Sequence, residues 1–257
     1  MPNLKLEIEY NGKRYCGWQT QRKTKNCPRH SRTVQETIEG AIKKITREKV
    51  VLSASGRTDS GVHACAQVAN FKTRSLIPPD KMLKALNAFL PDDIIVKKVQ
   101  IVADDFHSQF SSKSKIYRYL ILNRPFDSAL LKGQVYFFPY PLDIGVMRRE
   151  AGCLIGRHDF KSFCASGSAV KGTFRTIKKI QIKKFRNFLD NAGVLCIEIE
   201  ADGFLYNMVR NIVGTLLEIG RLKRKEGELK RILLGRNRCL AGPTAPAEGL
   251  FLCQVKY

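Results

Sequence analysis

The stretch 53–67 constrains the fold more than any other part of this sequence. It places an arginine, an aspartate and a histidine between two apolar runs, 50–52 and 68–71, which have the composition of β-strands. Two glycines frame the connection, and glycine adopts backbone angles that are closed to other residues. We therefore predict two strands joined by a tight turn that holds Arg57 and Asp59 at the edge of a sheet.

This turn has two interpretations. A carboxylate such as Asp59 keeps its charge inside a protein only when it is paired or hydrogen-bonded, so an aspartate close to an arginine is a candidate active-site group. The same residue types also form ordinary surface turns in which both side chains are solvated. Turn chemistry alone favours the surface turn, and further observations are needed to assign Asp59 to a catalytic site.

The charge of the chain indicates a phosphate-rich partner. The 257 residues contain 45 Lys and Arg against 23 Asp and Glu, which gives a formal net charge of +22. The cations are spread from Lys5 to Lys256 and 44% of the residues are hydrophobic, so the charge belongs to a folded body and not to a basic tail. This length allows one large domain or two small ones.

Other classes of protein are disfavoured by what the sequence contains. It has no apolar run of membrane-spanning length, and the opening Met-Pro-Asn-Leu-Lys does not resemble a signal peptide, so we expect a cytoplasmic protein that does not enter a membrane. The eight cysteines form no C-x-x-C pair and the four histidines lie far apart. We therefore expect no metal site.

The first half of the chain has the pattern β-α-β-β-α-β. Alternating apolar and charged residues predict a strand at 4–10, and a basic, mobile loop is expected from Arg22 to Arg32. A capping box that begins at Thr33 predicts a helix, and a second helix begins at Pro79 and ends before Pro91. A strand at 94–102 follows. Such a pattern predicts an antiparallel sheet with both helices on one face.

The second half repeats this order of elements. We predict strands at 115–122, 176–188, 194–201 and 249–255, with helices at 143–155 and 204–219 and an additional helix at 226–234. The predicted fold class is α+β, with two ferredoxin-like halves, residues 1–110 and 111–257. The first half carries the Asp59 loop, and a catalytic cleft is expected between the halves.

The stretch 56–64, Gly-Arg-Thr-Asp-Ser-Gly-Val-His-Ala, resembles the catalytic signature of the tRNA pseudouridine synthase A family. Other landmarks of that family occur in the family's order along nearly the whole chain, and together they reverse the preference for a surface turn. The landmarks are Gly17-Trp18-Gln19 with Thr33-Val34-Gln35, Phe106-His107, Tyr117-Arg118-Tyr119, the stretch 156–160 with Ser162-Phe163, Arg175-Thr176-Ile177, the stretch 203–210, and Ala245-Pro246 with Gly249-Leu250.

The resemblance implies an isomerase that converts uridine to pseudouridine in the anticodon stem-loop of tRNA, typically at positions 38 to 40, without a cofactor. It implies that Asp59 is the nucleophile, that Tyr117 stacks on the target base and that Arg210 is the ion-pair partner of the aspartate. Arg57 is expected to contact the RNA backbone and to help hold the target nucleotide out of its stack. The family also implies a homodimer.

Several alternatives stay open at the level of sequence. The carboxylate of Asp59 can attack either C1′ of the ribose or C6 of the base. Tyr117 and Tyr119 alternate on one strand, and a core role is as compatible with this pattern as a stacking role. The main competing function is a non-catalytic, basic RNA-binding or tRNA-folding protein of the same fold.

Overall fold

The computed structural model describes residues 1–19, 32–165, 167, 172–186 and 193–257. The predicted basic loop from Arg22 to Arg32 lies outside these residues, except for Arg32 itself. The described chain divides into two compact units. The first unit consists of Met1–Lys113 together with Phe251–Tyr257, and the second consists of Ser114–Leu250.

The first unit begins with four strands and two helices. They are β1 (Asn3–Tyr10), α1 (Val34–Thr46), β2 (Ser53–Ala54), β3 (His63–Lys72), α2 (Pro79–Phe89) and β4 (Ile94–Val102). β1 lies between β3 and β4 and is antiparallel to both, and β2 is antiparallel to β3. The order of elements and the antiparallel pairing of these strands are as predicted.

Local chemistry explains where the helices of the first unit begin. Thr33 forms the predicted capping box, because its Oγ1 accepts from the Glu36 N–H at 3.2 Å and its own N–H donates to Glu36 Oε2 at 3.1 Å. Pro79 is the first residue of α2. The helices contact each other, and α2 contacts β4; their buried faces include Ile38 of α1 and Leu86 of α2.

The predicted strand at 50–52 is wrong, since the strand occupies Ser53–Ala54 instead. The Leu52 N–H donates to Glu39 Oε1 at 2.9 Å, and the Leu52 carbonyl accepts from Gln35 Nε2 at 3.5 Å. Both partners are side chains of α1. The backbone of Leu52 is therefore hydrogen-bonded to side chains of the helix.

The second unit contains a sheet and three helices. Its elements are β5 (Ser114–Leu122), β6 (Tyr136–Phe137), α3 (Ile144–Ala151), β7 (Gly156–Asp159), β8 (Phe174–Arg186), β9 (Gly193–Ala201), α4 (Met208–Gly220) and α5 (Glu228–Gly235). β5, β9, β8 and β7 follow one another across the sheet and are antiparallel, and β6 is parallel to β5.

α4 begins four residues later than predicted. Asn207 precedes it with a left-handed backbone, at φ 58° and ψ 10°, which cannot continue a right-handed helix toward its N-terminus. The segment 204–207 is therefore a loop between β9 and α4. The additional helix is confirmed as α5, whose start is anchored by the buried Glu150 carboxylate, because it accepts from the N–H groups of Gly227 at 2.7 Å and Leu229 at 3.1 Å.

The last strand, β10 (Leu250–Lys256), differs from its prediction in two ways. The sequence placed it in the second half, but the residues from Phe251 onward group with the first unit. It also pairs in parallel with β3, Phe251 lying opposite His63, so the predicted antiparallel sheet is wrong at this point. The α+β class with mostly antiparallel strands is confirmed.

No helix in the described part of the chain combines the length and the hydropathy needed to cross a bilayer.

Candidate active site

Asp59 lies in the connection 55–62 between β2 and β3, as predicted. Its side chain is half-buried, and its carbonyl accepts from the Val62 N–H at 3.1 Å, which closes the turn. Arg57 is exposed on the same connection. We call residues 55–62 the Asp59 loop.

Thr58 is fixed from two sides, and it precedes Asp59 directly. Its Oγ1 is 2.7 Å from the hydroxyl of Tyr10, at the end of β1, and its carbonyl accepts from the Trp18 N–H at 3.0 Å. Burial raises the pKa of Tyr10 above its usual value, so the hydroxyl that meets Thr58 stays neutral. Hydrogen bonds therefore hold both the side chain and the backbone of Thr58, the residue before Asp59.

The residues after Asp59 are held by the segment around Tyr15. The Tyr15 carbonyl accepts from Ser60 Oγ at 3.1 Å and from the Gly61 N–H at 3.4 Å. Gly17 adopts φ 83°, and a Cβ at this position would lie 2.6 Å from the Thr58 carbonyl oxygen. Close approach of this segment to the Asp59 loop therefore requires glycine.

Gln67 of β3 holds the first residues of the Asp59 loop. It is fully buried; its Nε2 donates to the Gly56 carbonyl at 2.8 Å, and its Oε1 accepts from Ser55 Oγ at 2.7 Å. One amide thus satisfies a main-chain and a side-chain group of the loop. Such a network is costly to break, because each buried polar group would lose its partner.

His63, the first residue of β3, follows the Asp59 loop directly. Its buried ring stacks on Phe251 of β10 with centroids 4.6 Å apart, and its Nδ1 accepts from the Gly12 N–H at 3.2 Å. A Cβ on Gly12 would lie 1.9 Å from the Val62 carbonyl oxygen. The histidine of the motif is therefore a packing and anchoring residue beneath the loop.

Tyr117 and Tyr119 share one face of β5 in the second unit. Tyr117 is 7% exposed and meets the ring of Phe204 edge to face, with centroids 4.9 Å apart. Tyr119 is fully buried and donates from its hydroxyl to the Pro246 carbonyl at 2.7 Å. Tyr119 is therefore a core residue.

Arg210 projects from the first turn of α4. Its Nε donates to the Ala245 carbonyl at 2.7 Å and its Nη1 to Asn207 Oδ1 at 2.8 Å, while its own carbonyl accepts from the Ala245 N–H at 3.1 Å. Ala245 adjoins Pro246, the partner of Tyr119. Arg210 and the tyrosine face of β5 are thus attached to the same short segment.

Sequence reasoning missed Lys115, which lies on the same face of β5 two residues before Tyr117. Its side chain is buried, with 9% of its surface exposed. The signal was available, because the alternation Lys115, Tyr117, Tyr119 places all three on one face of a strand. No group of three or more His, Cys, Asp and Glu side chains suited to a metal ion occurs within the described residues.

The structure places the four predicted site residues in pairs. Asp59 and Arg57 belong to the first unit, whereas Tyr117 and Arg210 belong to the second. The ion pair between Asp59 and Arg210 and the cleft between the halves stay predictions.

Comparison with known proteins identifies the family. A family model described as tRNA pseudouridine synthase matches residues 8–111 and 151–257. The tRNA pseudouridine synthase A of Acetivibrio thermocellus is 49% identical over 257 residues, which cover 100% of both chains. A protein of the same name from Thermoanaerobacter sp. is 47% identical with the same coverage. The tRNA pseudouridine synthase A 2 of Clostridium tetani is 46% identical over 99% of this chain and 98% of its own length. The resemblance seen in the motifs is confirmed, and the chain belongs to the tRNA pseudouridine synthase family.

Proposed function

We propose that this protein is an isomerase that converts uridine to pseudouridine in the anticodon stem-loop of tRNA, without a cofactor. The observation that carries the proposal is the Asp59 loop, in which one half-buried carboxylate is presented on a backbone fixed from three sides. Full-length relatives named tRNA pseudouridine synthase A support the activity and the substrate class.

The reaction needs one carboxylate. The bond between N1 of the uracil and C1′ of the ribose breaks, the base turns, and a bond forms between C5 and C1′. The proton on C5 is lost, and N1 ends protonated. Asp59 acts as the nucleophile, at C1′ or at C6, and gives the covalent intermediate that splits this exchange into two steps. A hydrolytic glycosidase uses two carboxylates that flank the bond and releases the base.

The other residues position the substrate. Tyr117 stacks on the flipped uracil, and the edge-to-face contact with Phe204 holds its ring in one orientation. Arg210 is oriented by Asn207 and Ala245 and keeps the Asp59 carboxylate ionised as its ion-pair partner. Arg57, exposed beside Asp59, contacts the RNA backbone and helps hold the target nucleotide out of its stack.

We further propose that residues 1–110 and 111–257 form two ferredoxin-like halves with the catalytic cleft between them. The order β1-α1-β2-β3-α2-β4 in the first unit supports this. The second unit has β5, α3, β8, β9 and α4 in the corresponding order, with β6, β7 and α5 as additional elements. We also expect a cytoplasmic homodimer. Sedimentation at micromolar concentration tests the dimer, and a monomer that modifies tRNA at full rate would contradict it.

The decisive experiment compares wild-type protein with Asp59→Asn on a tRNA transcript labelled with tritium at C5 of uridine. The amide is isosteric but a poor nucleophile, so tritium release falls below detection while a gel shift shows tRNA binding close to that of wild type. Asp92→Asn is the matched control, because Asp92 is exposed in the same unit. Sequencing of the product locates the pseudouridine.

Each other outcome has a defined meaning. Turnover by pure Asp59→Asn protein would refute the nucleophile assignment. Loss of binding together with turnover would make Asp59 a structural residue. Wild-type protein that binds tRNA and releases no tritium would support the competing non-catalytic RNA-binding function.

A further inference from the structure

A second carboxylate of the first unit, Asp93, makes three contacts to one short stretch of chain. It lies in the turn between α2 and β4, and 12% of its side-chain surface is exposed. Its Oδ1 accepts from the Tyr15 hydroxyl at 2.5 Å, its Oδ2 accepts from Arg14 Nε at 2.9 Å, and its carbonyl accepts from the Asn11 N–H at 2.9 Å. We call residues 11–15 the Tyr15 segment.

The Tyr15 segment is one compact turn. Its residues Gly12–Arg14 form a turn of 3-10 helix, and the Tyr15 N–H donates to the Gly12 carbonyl at 2.9 Å. Asp93 contacts both ends of this turn, at Asn11 and at Tyr15. These contacts therefore fix the segment as a unit.

The Tyr15 segment in turn contacts the Asp59 loop on the side that follows the aspartate. The Tyr15 carbonyl accepts from Ser60 Oγ at 3.1 Å and from the Gly61 N–H at 3.4 Å. The backbone of Gly12 lies so close to the loop that a Cβ would be 1.9 Å from the Val62 carbonyl oxygen. A displacement of the segment therefore displaces the backbone that carries the carboxylate.

The hydrogen bond with Tyr15, and not the ion pair with Arg14, carries this link. The Arg14 side chain is 75% exposed, and exposed ion pairs contribute little to stability. Tyr15 is buried, and a buried polar group that loses its partner pays the full cost of desolvation. Burial raises the pKa of Tyr15, and the hydrogen bond to Asp93 raises it further, so the hydroxyl is a neutral donor.

We propose that Asp93 is a positioning residue for Asp59. It holds the Tyr15 segment against the Asp59 loop, and the segment in turn holds Ser60 and Gly61, so the direction of the Asp59 carboxylate depends on Asp93. This inference rests on the proposed function, because it takes Asp59 as the reacting group. Asp93 acts through Tyr15 and does not contact the RNA.

Trp18 reports on this arrangement without turnover. It is the one tryptophan of the sequence, its side chain is buried, and its N–H donates to the Thr58 carbonyl at 3.0 Å. The protein variant is Asp93→Leu, which removes the acceptor and keeps a side chain of similar size. Its folded form is expected to show Trp18 emission at longer wavelength and stronger quenching by acrylamide than wild type, because the segment that precedes Trp18 is released.

Turnover tests the consequence for catalysis. Asp93→Leu lowers kcat for tritium release about a hundredfold, as for the displacement of a reacting group, while KM for tRNA stays close to that of wild type. Asp93→Asn retains most of kcat, because its amide oxygen still accepts from the Tyr15 hydroxyl although the charge is gone. Tyr15→Phe removes the donor of the same hydrogen bond, so its addition to Asp93→Leu causes little further loss.

Asp92→Leu is the matched control. Asp92 is exposed and directly precedes Asp93, so its substitution changes neither Trp18 emission nor kcat. If Asp93→Leu does not fold, Tyr15→Phe tests the same contact alone, because it removes one hydroxyl and keeps the ring. It is then expected to lower kcat and to shift Trp18 emission in the same direction.

The proposal is overturned if folded Asp93→Leu protein has the kcat of wild type, or if it loses stability while Trp18 emission and kcat are unchanged. Additive losses in Asp93→Leu and Tyr15→Phe also overturn it, as does a rise of KM without a fall of kcat. The fluorescence measurement uses no RNA. Wild-type protein that forms no pseudouridine therefore refutes the proposed function, while Trp18 emission still shows whether Asp93 holds the segment.

Discussion

The Asp59 loop and the face that carries Tyr117 and Arg210 are fixed in different ways. Asp59 sits in an irregular connection that is held by hydrogen bonds from β1, from β3 and from the segment around Tyr15. Tyr117 and Arg210 sit on a strand and a helix, whose geometry is set by regular hydrogen bonding and by an apolar core.

This difference predicts which substitutions each of the two regions tolerates. A loop without regular structure depends on individual polar contacts and on glycines that allow close approach, so its geometry is lost when one of them is replaced. A strand or helix keeps its backbone when a side chain changes, so the loss there is confined to the interaction that was removed. The predictions below compare the two regions on this basis.

Gly12→Ala and Gly214→Ala should have the largest effects. The new Cβ would lie 1.9 Å from the Val62 carbonyl oxygen in the first case and 1.8 Å from that of Pro243 in the second. Each clash involves backbone and should lower the free energy of unfolding by about 3 kcal/mol. Gly12→Ala should also lower kcat/KM of the folded fraction, because Val62 belongs to the Asp59 loop, whereas Gly214→Ala should act mainly on stability.

Thermal unfolding and kcat/KM well below the melting temperature measure these two effects separately. Gly40→Ala is the control, because Gly40 is an exposed residue of α1 with no atom within 4 Å of the added Cβ. It should raise stability by up to about 1 kcal/mol. Equal losses of kcat/KM in Gly12→Ala and Gly214→Ala would contradict the expectation that the Asp59 loop is the more sensitive of the two regions.

Gln67→Leu should be next in size. It leaves the Gly56 carbonyl and the Ser55 hydroxyl without their buried partner and should cost about 1 to 3 kcal/mol of stability. Activity should fall more than stability predicts, because Ser55 and Gly56 lead directly to Asp59. Chemical denaturation and tritium release give the two values. Gln134→Leu is the control, because Gln134 is exposed in the second unit, and it should change neither value. A Gln67→Leu protein with full activity would show that the loop keeps its shape without this network.

Tyr117→Leu should reduce kcat/KM by the value of one stacked base, about 1 to 3 kcal/mol. It should also lower stability by about 1 kcal/mol, because the buried ring loses its edge-to-face contact with Phe204. Tyr117→Phe should keep most of the binding, because the ring is retained. Steady-state kinetics with both variants decides between the two roles of this residue. A fully active Tyr117→Leu protein would make Tyr117 a core residue.

Tyr119→Phe should have the smallest effect. It removes one hydrogen bond to the Pro246 carbonyl and should cost about 1 kcal/mol of stability. Burial raises the pKa of Tyr119, so the hydroxyl is a neutral donor at all working pH values. Melting curves and kcat/KM are the measurements. A loss of activity larger than that of Tyr117→Leu would show that Tyr119, and not Tyr117, has the stacking role.

The elements that sequence predicted well are those specified by local chemistry. Alternation located β1, the capping box located α1, and prolines bounded α2. The predicted strand at 50–52 was wrong. Its apolar residues are typical of a strand, but the backbone of Leu52 is hydrogen-bonded to side chains of α1.

Contacts between distant residues could not be predicted in the same way. Tyr10 meets Thr58, and Asn70 donates to Asn3 and accepts from Ser108, yet no local pattern links these positions. The motif identified Asp59 as the central residue, but it did not indicate what holds the loop in place. Lys115 was overlooked because a lysine on a strand is usually solvated.

The parallel pairing of β10 with β3 sets an order of events during protein synthesis. Phe251 and Leu252 lie opposite His63 and Ala64 in the sheet. They leave the ribosome only after the whole second unit has been made. Domains generally fold as they emerge, the N-terminal one first. A nascent chain that stops before residue 251 therefore presents the aspartate on an unfinished sheet, with the histidine ring beneath it lacking its stacking partner. The sheet that carries the Asp59 loop is therefore completed only after the second unit has been synthesised.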